Sequence, residues 1–153
     1  NPYSWHPALR NKRDDVIEAL TSNGGMIGVS IYPHHLMDKS ECTIQSFCQM
    51  ITDTAEKFGI EKIGIGSDLC QDQPDSVVEW MRVGRWSKEI DYGEGSAALP
   101  GFPKQPHWFK DNRDFSNIEN GLLAVGMDVL DVNKIMGENW YNFYSENFKP
   151  MES

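Results

Sequence analysis

The chain has 153 residues, about one ordinary domain, and its 14 Lys and Arg against 23 Asp and Glu give a formal charge of −9. That balance excludes nucleic acid and anionic membrane surfaces as natural partners, because the one basic cluster, Arg10, Lys12 and Arg13, is followed at once by Asp14 and Asp15. Hydrophobic residues at 39% and thirteen glycines predict a buried core rather than disorder, and no apolar run reaches the roughly 18 residues of a membrane span.

In chain order, Asn11 reads as the cap of a helix over about 12–22, with Val16, Ile17 and Leu20 on its inner face. Asn23-Gly24-Gly25 ends it. Residues 26–32, Met-Ile-Gly-Val-Ser-Ile-Tyr, are a short apolar and β-branched run closed by Pro33, which predicts a buried strand. From Thr43, the residues Ile44, Phe47, Cys48, Ile51, Ala55 and Phe58 recur on one face of a helix that Gly59 stops. A second strand follows over 62–67, and Asp68 marks its end. Helix, strand, helix, strand predicts an α/β fold in which the two strands are adjacent and parallel, joined through the helix over about 43–58.

Beyond Asp75, the residues Val77, Val78 and Met81 predict another short helix. Residues 85–113 hold three of the eight prolines together with Trp86, Tyr92, Phe102, Trp108 and Phe109. Such aromatic density predicts an ordered excursion, not a linker. Two closing helices are expected, at 117–125 and at about 131–147, the second turning Val132, Met136, Trp140, Phe143 and Tyr144 inward. Two parallel strands cannot close a sheet by themselves, so residues 1–153 read as a single partial domain of a larger fold.

Three cysteines, Cys42, Cys48 and Cys70, cannot all pair within the chain, and none has a CxxC or zinc-knuckle spacing. They predict free thiols in a reducing, cytoplasmic setting. The opening Asn-Pro-Tyr-Ser-Trp-His lacks the pattern of a signal peptide and reads as a processed or truncated beginning.

The chemistry concentrates at the strand ends. In parallel α/β folds the carboxyl ends of strands share one mouth, so Asp68 is placed to handle a proton or an amine, or else to cap the next helix or turn. Arg10 is placed to clamp a carboxylate with two parallel hydrogen bonds, or else is a surface charge. His34 and His35 sit at the end of the first strand near Asp38 and Glu41. Adjacent histidines point in different directions, so the pair suits a pocket wall better than a metal chelate. His6 and His107 have no second ligand nearby in sequence. The chain has no HExxH, no phosphate-binding glycine loop and no nucleophile elbow.

Four segments taken together are similar to one family. Arg10-Asn11 ahead of a helix, Asn23-Gly24-Gly25 leading into Met-Ile-Gly-Val-Ser-Ile-Tyr-Pro, then Ile-Gly-Ile-Gly-Ser-Asp, and finally Ile-Met-Gly-Glu-Asn-Trp-Tyr-Asn-Phe resemble the membrane (renal) dipeptidase family of zinc peptidases. The resemblance covers nearly the whole chain outside residues 85–113. It implies the C-terminal portion of a (β/α)8 TIM barrel, with the two strands as its seventh and eighth. It also implies a hydrolase whose complete form carries two zinc ions and attacks a dipeptide carbonyl with a metal-bridged hydroxide.

By motif, Asp68 is then the catalytic carboxylate at the amine or leaving nitrogen, Arg10 binds near the substrate carboxylate, and His35 and Tyr32 line the substrate pocket. The family's last zinc-ligating histidine would fall just before Asn1, so no metal ligand is expected in this chain and no zinc bound by it alone. The implied reading is a dipeptidase portion, inactive in isolation, that pairs with itself or with a missing N-terminal half. Without the resemblance, the alternative is a non-catalytic acidic α/β fragment or binding domain that self-associates.

Overall fold

A computed structural model describes residues 1–82 and 101–148. Trp86 and Tyr92 of the aromatic stretch lie outside them. Helix α1 spans Asp14–Ser22, starting two residues later than the sequence predicts. Its N-cap position is Arg13, which makes no side-chain capping bond. Asn11 is therefore not the cap; it lies two residues upstream, 6% exposed, with its amide turned into the protein. Of the predicted inner face only Ile17 is buried, while Val16 and Leu20 are exposed.

Strand β1, Ile27–Val29, pairs in parallel with β2, Ile63–Ile65, in the register Ile27 to Ile63, Gly28 to Gly64 and Val29 to Ile65. Helix α2, Ile44–Phe58, connects them. Thr43 Oγ1 accepts the Ser46 N–H at 3.1 Å to cap it, and Gly59, at φ 96°, ends it in a backbone region that suits glycine. The amphipathic spacing works as read: Phe47, Cys48, Ile51 and Ala55 face inward, joined by Met50.

The two faces of the strand pair differ in kind, because side chains alternate along a strand. Ile27, Val29 and Ile63 enter the main core with Ile17, Phe47 and Ile51. The opposite face carries Gly28 and Gly64, and the Trp140 indole lies across them. A Cβ on Gly64 would collide with Trp140 Nε1, and one on Gly28 would come within 3.2 Å of its Cζ2. The indole N–H donates to the Ile65 carbonyl at 3.0 Å. The strand glycines thus make room for an aromatic ring.

Helix α3, Ser76–Arg82, sits where predicted. Helix α4, Phe115–Ala124, begins ahead of the expected 117, because Asp111 and Asp114 cap the preceding turn reciprocally: Asp111 accepts from Arg113 N–H and Asp114 from Asp111 N–H. The single closing helix expected at 131–147 is two helices, α5 (Val129–Asn133) and α6 (Asn139–Asn147). They are bridged by a wider turn, Lys134–Glu138, with non-helical backbone at Gly137. That break rotates the inward positions. Ile135 and Asn139 are buried, whereas Tyr144, expected inside, is 52% exposed. Asn139 Nδ2 donates to the carbonyls of Ile60 and Ile63 at 2.7 and 2.8 Å, fastening α6 to the start of β2.

The described end of the aromatic stretch is ordered against α2. Trp108 donates its indole N–H to the Cys42 carbonyl at 2.7 Å, its ring lies 5.2 Å from Phe47, and Phe109 is fully buried. Cys42, Cys48 and Cys70 are free. Among the described residues no helix is long and apolar enough to cross a membrane.

Candidate functional site

Since β1 and β2 are parallel, the segments that follow them emerge at the same end. Their pairing continues past both strands: the Gly66 N–H donates to the Val29 carbonyl at 2.9 Å and the Ile31 N–H to the Ser67 carbonyl at 3.2 Å. Tyr32 and Asp68 are the next residues of the two segments, so they leave the sheet side by side.

Asp68 has a left-handed backbone, φ 58°, which costs a residue with a Cβ on the order of 1 kcal/mol. Asp72, Asp38 and Lys39 in the loops at this end share that conformation. The helix after β2 starts only at Ser76, so Asp68 is not its cap. Partial burial pushes the Asp68 carboxyl above the ordinary carboxylate range, and the positive charge of Arg10 opposes that rise.

Arg10 is exposed and forms no ion pair among the described residues. Its charge acts on two groups at once, Asp68 and His35. The arginine, the carboxylate and the imidazole thus form one electrostatic neighbourhood, although they come from three different segments.

His35 is held in the short turn Pro33–His35. Its ring lies 5.1 Å from that of Tyr32, and Nδ1 is 2.9 Å from Ser30 Oγ. Burial first, then nearby positive charge, that of Arg10 and Lys12 included, pulls its pKa down to about 4, so the imidazole is neutral at pH 7. His34 faces Tyr32, with ring centroids 5.4 Å apart.

Sequence reasoning missed the groups that hold this turn. Asn1 Nδ2 donates to the carbonyls of Ser30 and His35, both at 3.0 Å, while its Oδ1 accepts from the Ser30 N–H at 2.9 Å. Asn11 Nδ2 donates to the same His35 carbonyl at 3.0 Å and to that of His6 at 2.9 Å. Its Oδ1 is buried without a partner among the described residues. For Ser30 a signal existed, a small hydroxyl in a run of otherwise apolar and aromatic residues. For the two asparagines none did, because their partners are backbone carbonyls distant in sequence.

No group of three or more His, Cys, Asp or Glu that could hold a metal ion occurs among the described residues. The Membrane dipeptidase (Peptidase family M19) model matches residues 1–85, more than half of the chain. The chain belongs to the membrane dipeptidase family. Arg10, Tyr32, His35 and Asp68 all fall within the matched stretch.

Dipeptidase tcpJ of Claviceps purpurea is 22% identical over 138 residues, which is 90% of this chain and 25% of that protein. Among solved structures, an amidohydrolase from Pseudomonas aeruginosa is similar at a TM-score of 0.74 and 27% identity, over 93% of this chain and 42% of that one. A metallo peptidase from Rhodobacter sphaeroides, liganded with a phosphinate mimic of the dipeptide L-Ala-D-Ala, is similar at 0.70 and 17% identity, over 97% of this chain and 34% of that one. The chain therefore spans a quarter to less than half of the length of these relatives. A family metal does not fit the described side chains, which lack a ligand cluster.

Proposed function

We propose that this chain is the C-terminal portion of a dipeptidase barrel, with β1 and β2 as its seventh and eighth strands, and that it handles the charged ends of a dipeptide. The observation that carries the reading is the shared neighbourhood of Arg10, Asp68 and His35 at the carboxyl end of two parallel strands. Family membership and the dipeptide mimic bound by the Rhodobacter neighbour support the substrate class.

In this reading Arg10 binds the substrate carboxylate and Asp68 meets the free amine or the leaving nitrogen. Hydrolysis breaks the peptide C–N bond and joins the elements of water: hydroxyl to the carbonyl carbon, and a proton to the leaving nitrogen. A carboxyl whose pKa lies above the ordinary range is suited to pass that proton. Tyr32 and His35 form the wall beside it. The zinc pair expected of such an enzyme belongs to the remainder of the polypeptide.

The full-length gene product tests the reading with three substrates: a free dipeptide, its N-acetyl form and its C-terminal amide. The free dipeptide is expected to be cleaved at least tenfold more efficiently than either blocked form, the scale of one lost charged contact. Equal cleavage of all three contradicts the roles of Arg10 and Asp68.

A further inference from the structure

Ser30 stands between two partners. Its Oγ accepts the Tyr32 N–H at 3.1 Å and lies 2.9 Å from His35 Nδ1. The hydroxyl proton needs an acceptor, and among the described residues Nδ1 is the one within reach. If Nδ1 carried a proton instead, the serine would accept twice and leave its own proton without a partner. With Nδ1 as the acceptor both groups are satisfied by one contact, and the ring proton of the neutral imidazole then sits on Nε2.

That nitrogen makes no hydrogen bond among the described residues, and it is not among the buried atoms left without a partner. Among the described residues nothing occupies the position it faces, and a ligand can meet it there. The backbone beneath the ring is fixed, because Asn1 and Asn11 both donate to the His35 carbonyl and Asn1 also clasps Ser30. The nearby side chains Arg10 and Lys12 are positive and favour an anionic group on the ligand.

We propose that Ser30 is a positioning residue that sets His35 as its Nε2–H tautomer, so that His35 presents a neutral, directional donor to a carboxylate of the bound ligand beside the charge of Arg10. The choice of ligand rests on the dipeptidase reading above; the tautomer does not. A histidinium would donate as well but would set a second full positive charge next to Arg10, whereas the neutral N–H donates without one. Ser30 acts on the ligand only through His35.

The test uses the full-length enzyme with nitrogen-15-labelled histidine, the His35 resonances being assigned by their loss in His35→Gln. At pH 7 the wild-type ring is expected to be neutral with Nε2 protonated, Ser30→Ala to show a mixture of tautomers, and Ser30→Thr to restore the wild-type spectrum. In parallel, Ser30→Ala is expected to raise KM for a free dipeptide about five- to tenfold, on the scale of one hydrogen bond. Its kcat should stay within about twofold, and Ser30→Thr should recover the KM.

An Nδ1-protonated or doubly protonated wild-type ring overturns the tautomer, and this readout stands even if Ser30→Ala folds poorly. An unchanged tautomer in Ser30→Ala overturns the role of Ser30. The expected tautomers with an unchanged KM overturn the contact to the carboxylate. Because the spectrum needs no turnover, loss of the dipeptidase reading and loss of the tautomer are separately visible.

Discussion

At the scale of single residues, Asp68 combines a left-handed backbone with a carboxyl that partial burial raises above the ordinary range. In the full-length enzyme, Asp68→Asn is expected to lower turnover by about 100-fold or more, the usual contribution of a positioned proton carrier, with bound metal unchanged. Turnover close to wild type would remove Asp68 from the reaction. Arg10→Lys is expected to raise KM several-fold with little change in kcat, since an ammonium cannot make two parallel bonds to a carboxylate; steady-state kinetics on a free dipeptide decide it.

His35 carries a consequence for stability. Its pKa is about 4 in the fold and near 6.5 when the chain unfolds, so between those values the unfolded state binds a proton that the folded state does not. Its contribution is fully present above pH 6.5 and fades as the pH falls toward 4, by on the order of 1–3 kcal/mol. Urea titrations at pH 7 and pH 5 should show that loss in the wild-type chain and a smaller one in His35→Gln. Arg10, Tyr32, His35 and Asp68 could be singled out in the sequence by motif and, for Asp68, by its place at a strand end; their roles are proposals. The bonds by which Asn1 and Asn11 hold the turn could not be singled out, since they cross 29, 34 and 24 positions.

At the scale of elements, the strands and α2 were legible because their apolar runs are clean and a proline, a carboxylate and a glycine mark their ends. The cap of α1 was not. Asn11 has the right chemistry for a cap, but two carbonyls in the protein interior claim its amide, and Arg13 holds the cap position without a side-chain bond. Arg13→Ser is therefore expected to stabilise the chain by roughly 0.5–1 kcal/mol, the value of a serine cap. The Arg13–Asp15 pair it removes is exposed and contributes little. Thermal unfolding should show a higher midpoint; a lower one contradicts the uncapped α1.

The glycine face of the strand pair gives the opposite expectation. Gly64→Ala places a methyl where Trp140 Nε1 sits and is expected to cost about 1–3 kcal/mol by overpacking. The split of the last helix into α5 and α6 was illegible, because an apolar period carries no mark of the turn at Gly137 that rotates it.

At the scale of the whole molecule, a sheet of only two strands among the described residues and relatives two to four times longer point the same way. Tyr141, Tyr144 and Phe148 on and just after α6 are 74%, 52% and 70% exposed. Apolar patches of this kind drive association, while the charge of −9 opposes unspecific aggregation. The chain alone is expected to run as a defined dimer or larger assembly in size-exclusion chromatography with light scattering, and a stable monomer would contradict that expectation.

In the proposed division of labour, this chain supplies the groups that handle the dipeptide's ends, while the metal-holding groups lie in the rest of the polypeptide. That division is tested most directly by measuring dipeptide hydrolysis as the separately expressed chain is titrated with the remaining segment of the same gene product in the presence of zinc. The expected result is no hydrolysis by either piece and activity that rises to a plateau at equal amounts. Full activity from this chain alone, under the same zinc, would contradict it.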